Sequence, residues 1–239
     1  MAMFVLVHGA WSGSYRWRKI RPLLWSKGHE VYTPSLTGLG ERRHLAGPHV
    51  HLSTHIEDVA NVFFYEDLSG VVLLGHSYGG MVVTGVADRL PERIAHLVYL
   101  DAFLPNDGDS LYSLGAGRAP QTEDPSTGSG QGWQVPPIQR RFATPEEQAW
   151  NEARRGPQSR ACFEEAVRLS VPLEERPFTR TYIKATGDPR PADGRRSGFW
   201  EAADRTRNDP RWRYREIDCG HMVPDERPAE LVALLLELA

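Results

Sequence analysis

Gly75-His76-Ser77-Tyr78-Gly79 follows the apolar run Val71-Val72-Leu73-Leu74 and leads into a helical pattern over residues 80–90. A serine on a strand-to-helix turn occupies a nucleophile's position, because the turn pushes its hydroxyl out beyond the end of the strand. The two flanking glycines suit that geometry: only small residues two before and two after let strand and helix pass closely. A serine hydroxyl is a weak nucleophile at neutral pH, so Ser77 needs a base within hydrogen-bond reach and a carboxylate to orient that base. His221, in Asp218-Cys219-Gly220-His221-Met222, follows the last strand pattern and precedes the terminal helix. That loop belongs at the carboxyl edge of a parallel sheet, where Ser77 also lies. His76 adjoins the nucleophile but is expected to point off the turn, and His44, His49, His51 and His55 read as loop residues.

Three acids compete to orient His221. Asp188, in Thr186-Gly187-Asp188-Pro189 after the strand pattern of residues 181–185, gives the chain order serine, aspartate, histidine and is the first choice. Asp101 ends the strand pattern of residues 96–100 and emerges at the same edge, and Asp193 lies on a Pro- and Gly-containing loop that could fold back. Acyl transfer also places negative charge on a carbonyl oxygen, which needs donors already aimed at it. The Tyr78 amide, at a helix start, is one expected donor. The second comes from the loop after the first strand, His8-Gly9-Ala10-Trp11, with the Ala10 amide preferred to that of Trp11.

The elements that must position these groups alternate along the chain. Strand patterns at residues 4–7, 30–33, 71–74, 96–100, 181–185 and 212–217 are interleaved with helical patterns at 15–27, 54–65, 80–90, 198–206 and 228–238. Such alternation implies an α/β fold: a mostly parallel sheet of about six strands with helices on both faces. The alternation stops between residues 104 and 180. Residues 116–132 are rich in Gly, Pro, Ser and Thr, two short helices are expected to start near Pro145 and Pro157, and Trp133, Phe142, Trp150 and Phe163 supply aromatic surface. Residues 104–180 therefore read as a cap inserted within a single domain spanning 1–239.

With 239 residues, of which 40% are hydrophobic, the chain can build one sizeable core. Its 28 Lys and Arg against 31 Asp and Glu, net charge -3, give no basic field for nucleic acid or an anionic membrane. Cys162 and Cys219 are too few for a disulfide framework or a zinc site, which suits a reducing cytoplasm. The apolar start runs into His8-Gly9 without a basic leader and reads as a strand, and no stretch is long enough to span a bilayer, so a soluble protein is expected. No cofactor is expected: no metal, nucleotide or flavin motif is present.

Together these pieces resemble the α/β-hydrolase superfamily, and within it the branch of small esterases, plant methylesterases and hydroxynitrile lyases. The resemblance is carried by Phe4-Val5-Leu6-Val7-His8-Gly9-Ala10, Pro22-Leu23-Leu24, Gly28-His29, Gly75-His76-Ser77-Tyr78-Gly79-Gly80, Leu97-Val98-Tyr99-Leu100-Asp101-Ala102-Phe103-Leu104-Pro105 and Gly220-His221. Bacterial esterases of the branch also carry something similar to Leu36-Thr37-Gly38-Leu39-Gly40-Glu41-Arg42. The resemblance implies Ser77, Asp188 and His221 as a catalytic triad, Ala10 and Tyr78 as oxyanion donors, and a pocket closed by cap aromatics with Trp133 at the position of a cap tryptophan. Trp11, Phe103, Trp133 and Met222 are the expected pocket walls. The lyases of this branch place a threonine where Gly9 stands and a lysine where Met222 stands, so this chain sides with hydrolysis. The expected activity is a serine esterase acting on a small-to-medium apolar ester, lactone or thioester through an acyl-enzyme. The rival readings are a non-hydrolytic catalyst such as a hydroxynitrile lyase, and a small-ligand receptor that keeps the pocket for binding.

Overall fold

In a computed structural model, described at residues 1–115, 132–142, 144–191 and 196–239, six strands form one parallel sheet. They are β1 (Met3–Val7), β2 (Glu30–Tyr32), β3 (Val71–His76), β4 (Ile94–Leu100), β7 (Thr179–Ala185) and β8 (Arg213–Ile217), in the order β2-β1-β3-β4-β7-β8. Alternation within the strands divides the core between two faces. Val5, Val7, Val71, Leu73, Leu97, Tyr99 and Tyr182 point to one face, whereas Phe4, Leu6, Val72, Leu74, Val98, Leu100 and Ile183 point to the other. Every residue of β3 is buried, as expected for a central strand covered on both sides.

The first face is covered by α2 (Leu52–Tyr65), α3 (Gly79–Arg89) and α6 (Gly198–Arg207). In α2 the buried positions are Leu52, His55, Ile56, Val59 and Phe63, a helical stripe three and four residues apart. The second face packs against α1 (Arg21–Trp25) and α8 (Pro228–Leu236) through Leu24, Leu231 and Leu235. The single helix expected over residues 15–27 is instead a 3-10 turn, Ser14–Trp17, followed by α1. Pro22 stands in the first turn of α1, where its missing N–H costs nothing but where a continuous helix from residue 15 would be broken.

Between β4 and β7 lie a two-residue antiparallel pair, β5 (Gln134–Val135) with β6 (Gln158–Ser159), and two short helices, α4 (Pro145–Glu152) and α5 (Ala161–Glu164). α4 starts at the expected proline, with the Thr144 hydroxyl accepting the Glu147 N–H as its cap. Pro157 does not start a helix; it precedes β6, and α5 begins at Ala161. Val135, Cys162, Phe163 and Val167 join the core beneath this segment. Residues 116–131 and Asp193 lie outside the described residues. Before α8, the short helix α7 (Val223–Glu226) follows the His221 loop.

Candidate active site

Ser77 adopts φ +57°, a left-handed backbone that a non-glycine residue holds only where the surroundings fix it. Those surroundings are β3 on one side and α3 on the other. A side-chain carbon on Gly79 would meet the Val7 carbonyl at 2.7 Å and the His8 carbonyl at 2.9 Å, so the tightness of the turn depends on that glycine. Two other non-glycine residues with positive φ stand at the same sheet edge: Trp11 at +59° after β1 and Asp101 at +39° after β4. The register explains why they meet. His76 is level with Leu100 across β3 and β4, and Leu100 is level with Ile183 across β4 and β7. Ser77, Asp101 and Lys184 are therefore the next residues along three adjacent strands.

His221 Nδ1 donates to Asp101 Oδ2 at 2.7 Å, and both side chains are buried. The Asp101 Oδ1 atom accepts from Lys184 Nζ at 2.6 Å and from the Ala185 amide at 3.3 Å. Burial pushes the Asp101 carboxyl up, but the hydrogen bond and charge of His221, with the charge of Lys184, outweigh it and hold the group below its usual value. Lys184 is itself buried; it also donates to the Ala185 carbonyl, and its ammonium lies 4.4 Å from the centre of the Trp200 ring. Burial lowers the His221 pKa most, the Asp101 carboxylate opposes this, and Arg140 adds a smaller push downward. The ring is clamped by Phe199, stacked on it at 4.8 Å, and by His76 at 4.7 Å.

Asp188, the acid expected from chain order, does not reach the imidazole. Its Oδ2 accepts the main-chain N–H of His221 at 3.2 Å and lies 3.9 Å from Arg140, and the side chain is 55% exposed. The physical reason is its position: three residues beyond the end of β7 the chain has turned outward, while Asp101 directly follows β4 inside the sheet edge. His76 does not point away from the site. Its Nε2–H donates to the His221 carbonyl at 2.9 Å and so fixes the loop that carries the imidazole. His55 is not a loop residue but a buried residue of α2, where it accepts from the Tyr78 hydroxyl at 2.8 Å and donates to the Thr37 carbonyl at 2.9 Å.

The backbone N–H groups of Ala10 and Tyr78 make no hydrogen bond among the described residues, and both residues line the same cavity as Ser77. The Trp11 N–H, the other candidate donor, is taken by Gln158 Oε1 at 3.1 Å, and the indole N–H of Trp11 donates to the Val135 carbonyl at 2.9 Å. The β5/β6 pair thus ties down the loop after β1 from outside. His8 secures it from inside: its Nδ1–H donates to the Gly9 carbonyl at 2.8 Å and its Nε2 accepts the Leu36 N–H at 3.1 Å.

Two cavities meet at Ser77. One, about 30 Å³, is lined by Ser77, His221, Met222, Trp11, Arg16 and Arg140 among others. The second, about 270 Å³, is mostly apolar, with Trp11, Phe103, Leu111, Phe163 and Phe199 in its wall. Trp11 lines both cavities, Phe103 the larger and Met222 the smaller, whereas Trp133 borders neither. Phe163, Phe199, Arg140 and Lys184 were not singled out as site residues from sequence. Phe163 was visible only as cap aromatic surface, and Lys184 carried a signal in hindsight, a lysine inside an otherwise apolar strand. Neither Ser77 Oγ nor His221 Nε2 has a hydrogen bond among the described residues, so both are free to take part in chemistry in the cavity they share. No group of three or more His, Cys, Asp or Glu side chains among the described residues could hold a metal ion.

Comparison with known proteins bears on the fold and the family. A carbendazim-hydrolysing esterase of Nocardioides sp. (strain SG-4G) is 39% identical over the full length of both chains. Methylesterase 8 of Arabidopsis thaliana is 32% identical over 117 residues, 45% of this chain and 40% of that protein. Among solved structures, an extracellular α/β-hydrolase from a Paenibacillus species superposes with a TM-score of 0.81 at 22% identity, covering 100% of this chain and 99% of that one, a likeness of fold. The profile of the alpha/beta hydrolase family matches residues 4–234, nearly the whole chain, which therefore belongs to that family.

Proposed function

We propose that this chain is a serine-dependent carboxylic ester hydrolase acting on a small-to-medium, largely apolar ester, lactone or thioester, with Ser77 as nucleophile, His221 as base and Asp101 as the orienting acid. The observation that carries this reading is the hydrogen bond between His221 Nδ1 and Asp101, because it fixes the tautomer that leaves Nε2 unprotonated in the cavity that His221 shares with Ser77. Ser77 Oγ attacks the carbonyl carbon as His221 Nε2 takes its proton. The carbonyl oxygen becomes an oxyanion between the Ala10 and Tyr78 N–H groups, donors that need no rearrangement to receive it. The C–O bond to the alcohol then breaks, His221 returns the proton to the leaving oxygen, and water repeats the cycle on the acyl-enzyme. The segment between β4 and β7 serves as a cap, contributing Leu111, Ile138 and Phe163 to the larger cavity.

The 39% identity to an esterase along the whole chain supports hydrolysis. Met222, next to His221 in the chain, lines the small cavity and offers no ammonium for a departing cyanide, so the cation nearest to that role is the Arg140 guanidinium in the same cavity. An open nucleophile with a histidine oriented by Asp101 and free at Nε2 weighs against a receptor that only binds. No helix among the described residues is long and apolar enough to cross a membrane. The two cysteines are unpaired, which suits the cytoplasm. The test is stoichiometric labelling by a fluorophosphonate together with a burst of p-nitrophenol from p-nitrophenyl butyrate. Both are expected in the native chain and absent in Ser77→Ala; unchanged labelling of that variant would remove Ser77 from the mechanism.

A further inference from the structure

Three arginines approach the small cavity beside Ser77 and His221: Arg16, Arg140 and Arg155. Two are committed. Arg16 is buried in an ion pair with Asp225, and Arg155 donates to the Ile138 carbonyl at 2.8 Å. Arg140 is not: its side chain is only 26% exposed, and among the described residues its one carboxylate neighbour, Asp188, is 3.9 Å away and its guanidinium makes no hydrogen bond. An unpaired guanidinium that is three-quarters covered keeps donors open for a ligand in the cavity. Arg140 also borders the larger cavity, where the other cation, Arg196, is occupied by both oxygens of Glu201.

The sizes of the two cavities assign the parts of a substrate. The leaving alcohol must lie next to His221, which returns the proton to it, and the cavity there holds only about 30 Å³. The smaller space suits a small alcohol, and the acyl group takes the cavity of about 270 Å³. Phe103, Leu111, Phe163 and Phe199 can cover an apolar chain or ring in that cavity, and Arg140 is its unsatisfied charge.

Resting on the proposed esterase chemistry, we infer that Arg140 recognises a carboxylate carried on the acyl group, so that the preferred substrates are half-esters of diacids with a small alcohol. A guanidinium pairs with a carboxylate through two parallel hydrogen bonds, a match in shape and in charge. Burial draws the Arg140 pKa below its usual value, with Asp188 and Asp101 opposing that pull, and an incoming carboxylate would reverse it. Asp188 then acquires a role that its distance from the imidazole otherwise leaves open. It accepts the His221 N–H while lying beside Arg140, linking the histidine loop to the recognition group.

The experiment compares monomethyl glutarate with methyl pentanoate, which differ only in a terminal carboxylate against a methyl group, by methanol release. The read-out is the ratio of the two kcat/KM values, which cancels any general loss of activity. In the native chain the half-ester is expected to be favoured at least tenfold, the ratio to fall at least tenfold in Arg140→Gln through KM, and Arg140→Lys to be intermediate. Raising the salt concentration should lower the native ratio. Circular dichroism establishes that each variant is folded. A native ratio at or below one, or a ratio unchanged in Arg140→Gln, overturns the inference even if both esters are hydrolysed. Failure to hydrolyse either ester, together with no fluorophosphonate labelling of Ser77, overturns the esterase reading itself.

Discussion

Lys184 Nζ lies 2.6 Å from Asp101 Oδ1, and both side chains are 1% exposed, so the carboxylate that faces His221 is balanced from behind by a buried cation. Removing one partner of such a pair leaves an uncompensated charge in the interior, at about 3–5 kcal/mol. Lys184→Met is therefore expected to lower the unfolding free energy by about that amount, measured by urea denaturation. It should also change the chemistry in a definite direction. With its partner gone, the negative charge of Asp101 acts on His221 undiminished and favours the imidazolium, so the acid limb of kcat/KM should move to higher pH. A variant that is destabilised but keeps the native pH profile would mean that the ion pair holds the fold without tuning the histidine.

Two carboxylates contact His221, one at the ring and one at the main chain, and amide substitutions separate them. Asp101→Asn removes the acceptor that fixes the tautomer and stabilises the imidazolium, so kcat on a p-nitrophenyl ester should fall on the order of 10³- to 10⁴-fold. Asp188→Asn keeps an oxygen able to accept the His221 N–H and should cost less than about tenfold, a secondary loss of loop positioning. Steady-state kinetics on the two purified variants decides the matter, and the opposite ranking would return the orienting role to Asp188.

The contrast between those two aspartates marks where the sequence was readable. Periodicity and glycine placement were enough for the six strands, the turn at Ser77 and the loop of His221, because each depends on a local pattern of residue types. Which carboxylate meets the His221 ring depends on register. Asp101 reaches the ring because Leu100 is level with both His76 and Ile183, a relation between strands separated by up to 107 positions of chain that no local pattern encodes. Chain order favoured Asp188, which stands on a turn leading away from the edge. Lys184 was hidden for the same reason: in β7 it reads as an interruption of an apolar run until its neighbour across the sheet is known. Trp133 illustrates the opposite failure. The resemblance implied a pocket wall there, but the larger cavity is lined instead by Phe163 and Phe199 among others, whose placement comes from cap packing and from α6.

His8 and His55 are fully buried, and burial lowers both pKa values from 6.5 to about 4. Burial holds each ring neutral against the opposing bond to a carbonyl, Gly9 for His8 and Thr37 for His55, and the second ring nitrogen accepts from the Leu36 N–H in His8 and the Tyr78 hydroxyl in His55. Because the unfolded chain binds these protons near pH 6.5 and the folded chain only near 4, the stabilisation is complete above about 6.5 and is lost as pH falls toward 4. Each histidine should contribute about 3 kcal/mol to that loss. Urea denaturation at several pH values should show the decline, and His55→Gln, which cannot titrate, should flatten it by about 1.4 kcal/mol per pH unit. A slope the same in the variant and the native chain would mean that other groups drive acid unfolding.

Gly9 links the fold to the choice of chemistry. A side-chain carbon at Gly9 would come within 2.8 Å of the Ser77 Cβ, a distance that real side-chain carbons do not tolerate, and within 3.4 Å of Ser77 Oγ. A threonine there, as in the lyases of this branch, therefore cannot simply be added to this backbone; the nucleophile turn would have to move. Misplacing a reacting group by about 1 Å costs on the order of 10²-fold in rate. Gly9→Thr is accordingly expected to stay folded, since the loop is still held by His8 and by Trp11, but to react with a fluorophosphonate at least about 10²-fold more slowly. It should gain no measurable cyanide release from mandelonitrile above the uncatalysed rate, because the displaced nucleophile turn slows the site for any substrate and Met222 still supplies no ammonium. Cyanide release that depends on Ser77 in this variant would show that one residue is enough to redirect the site, and that the bulk of the loop after β1 decides between hydrolysis and lysis.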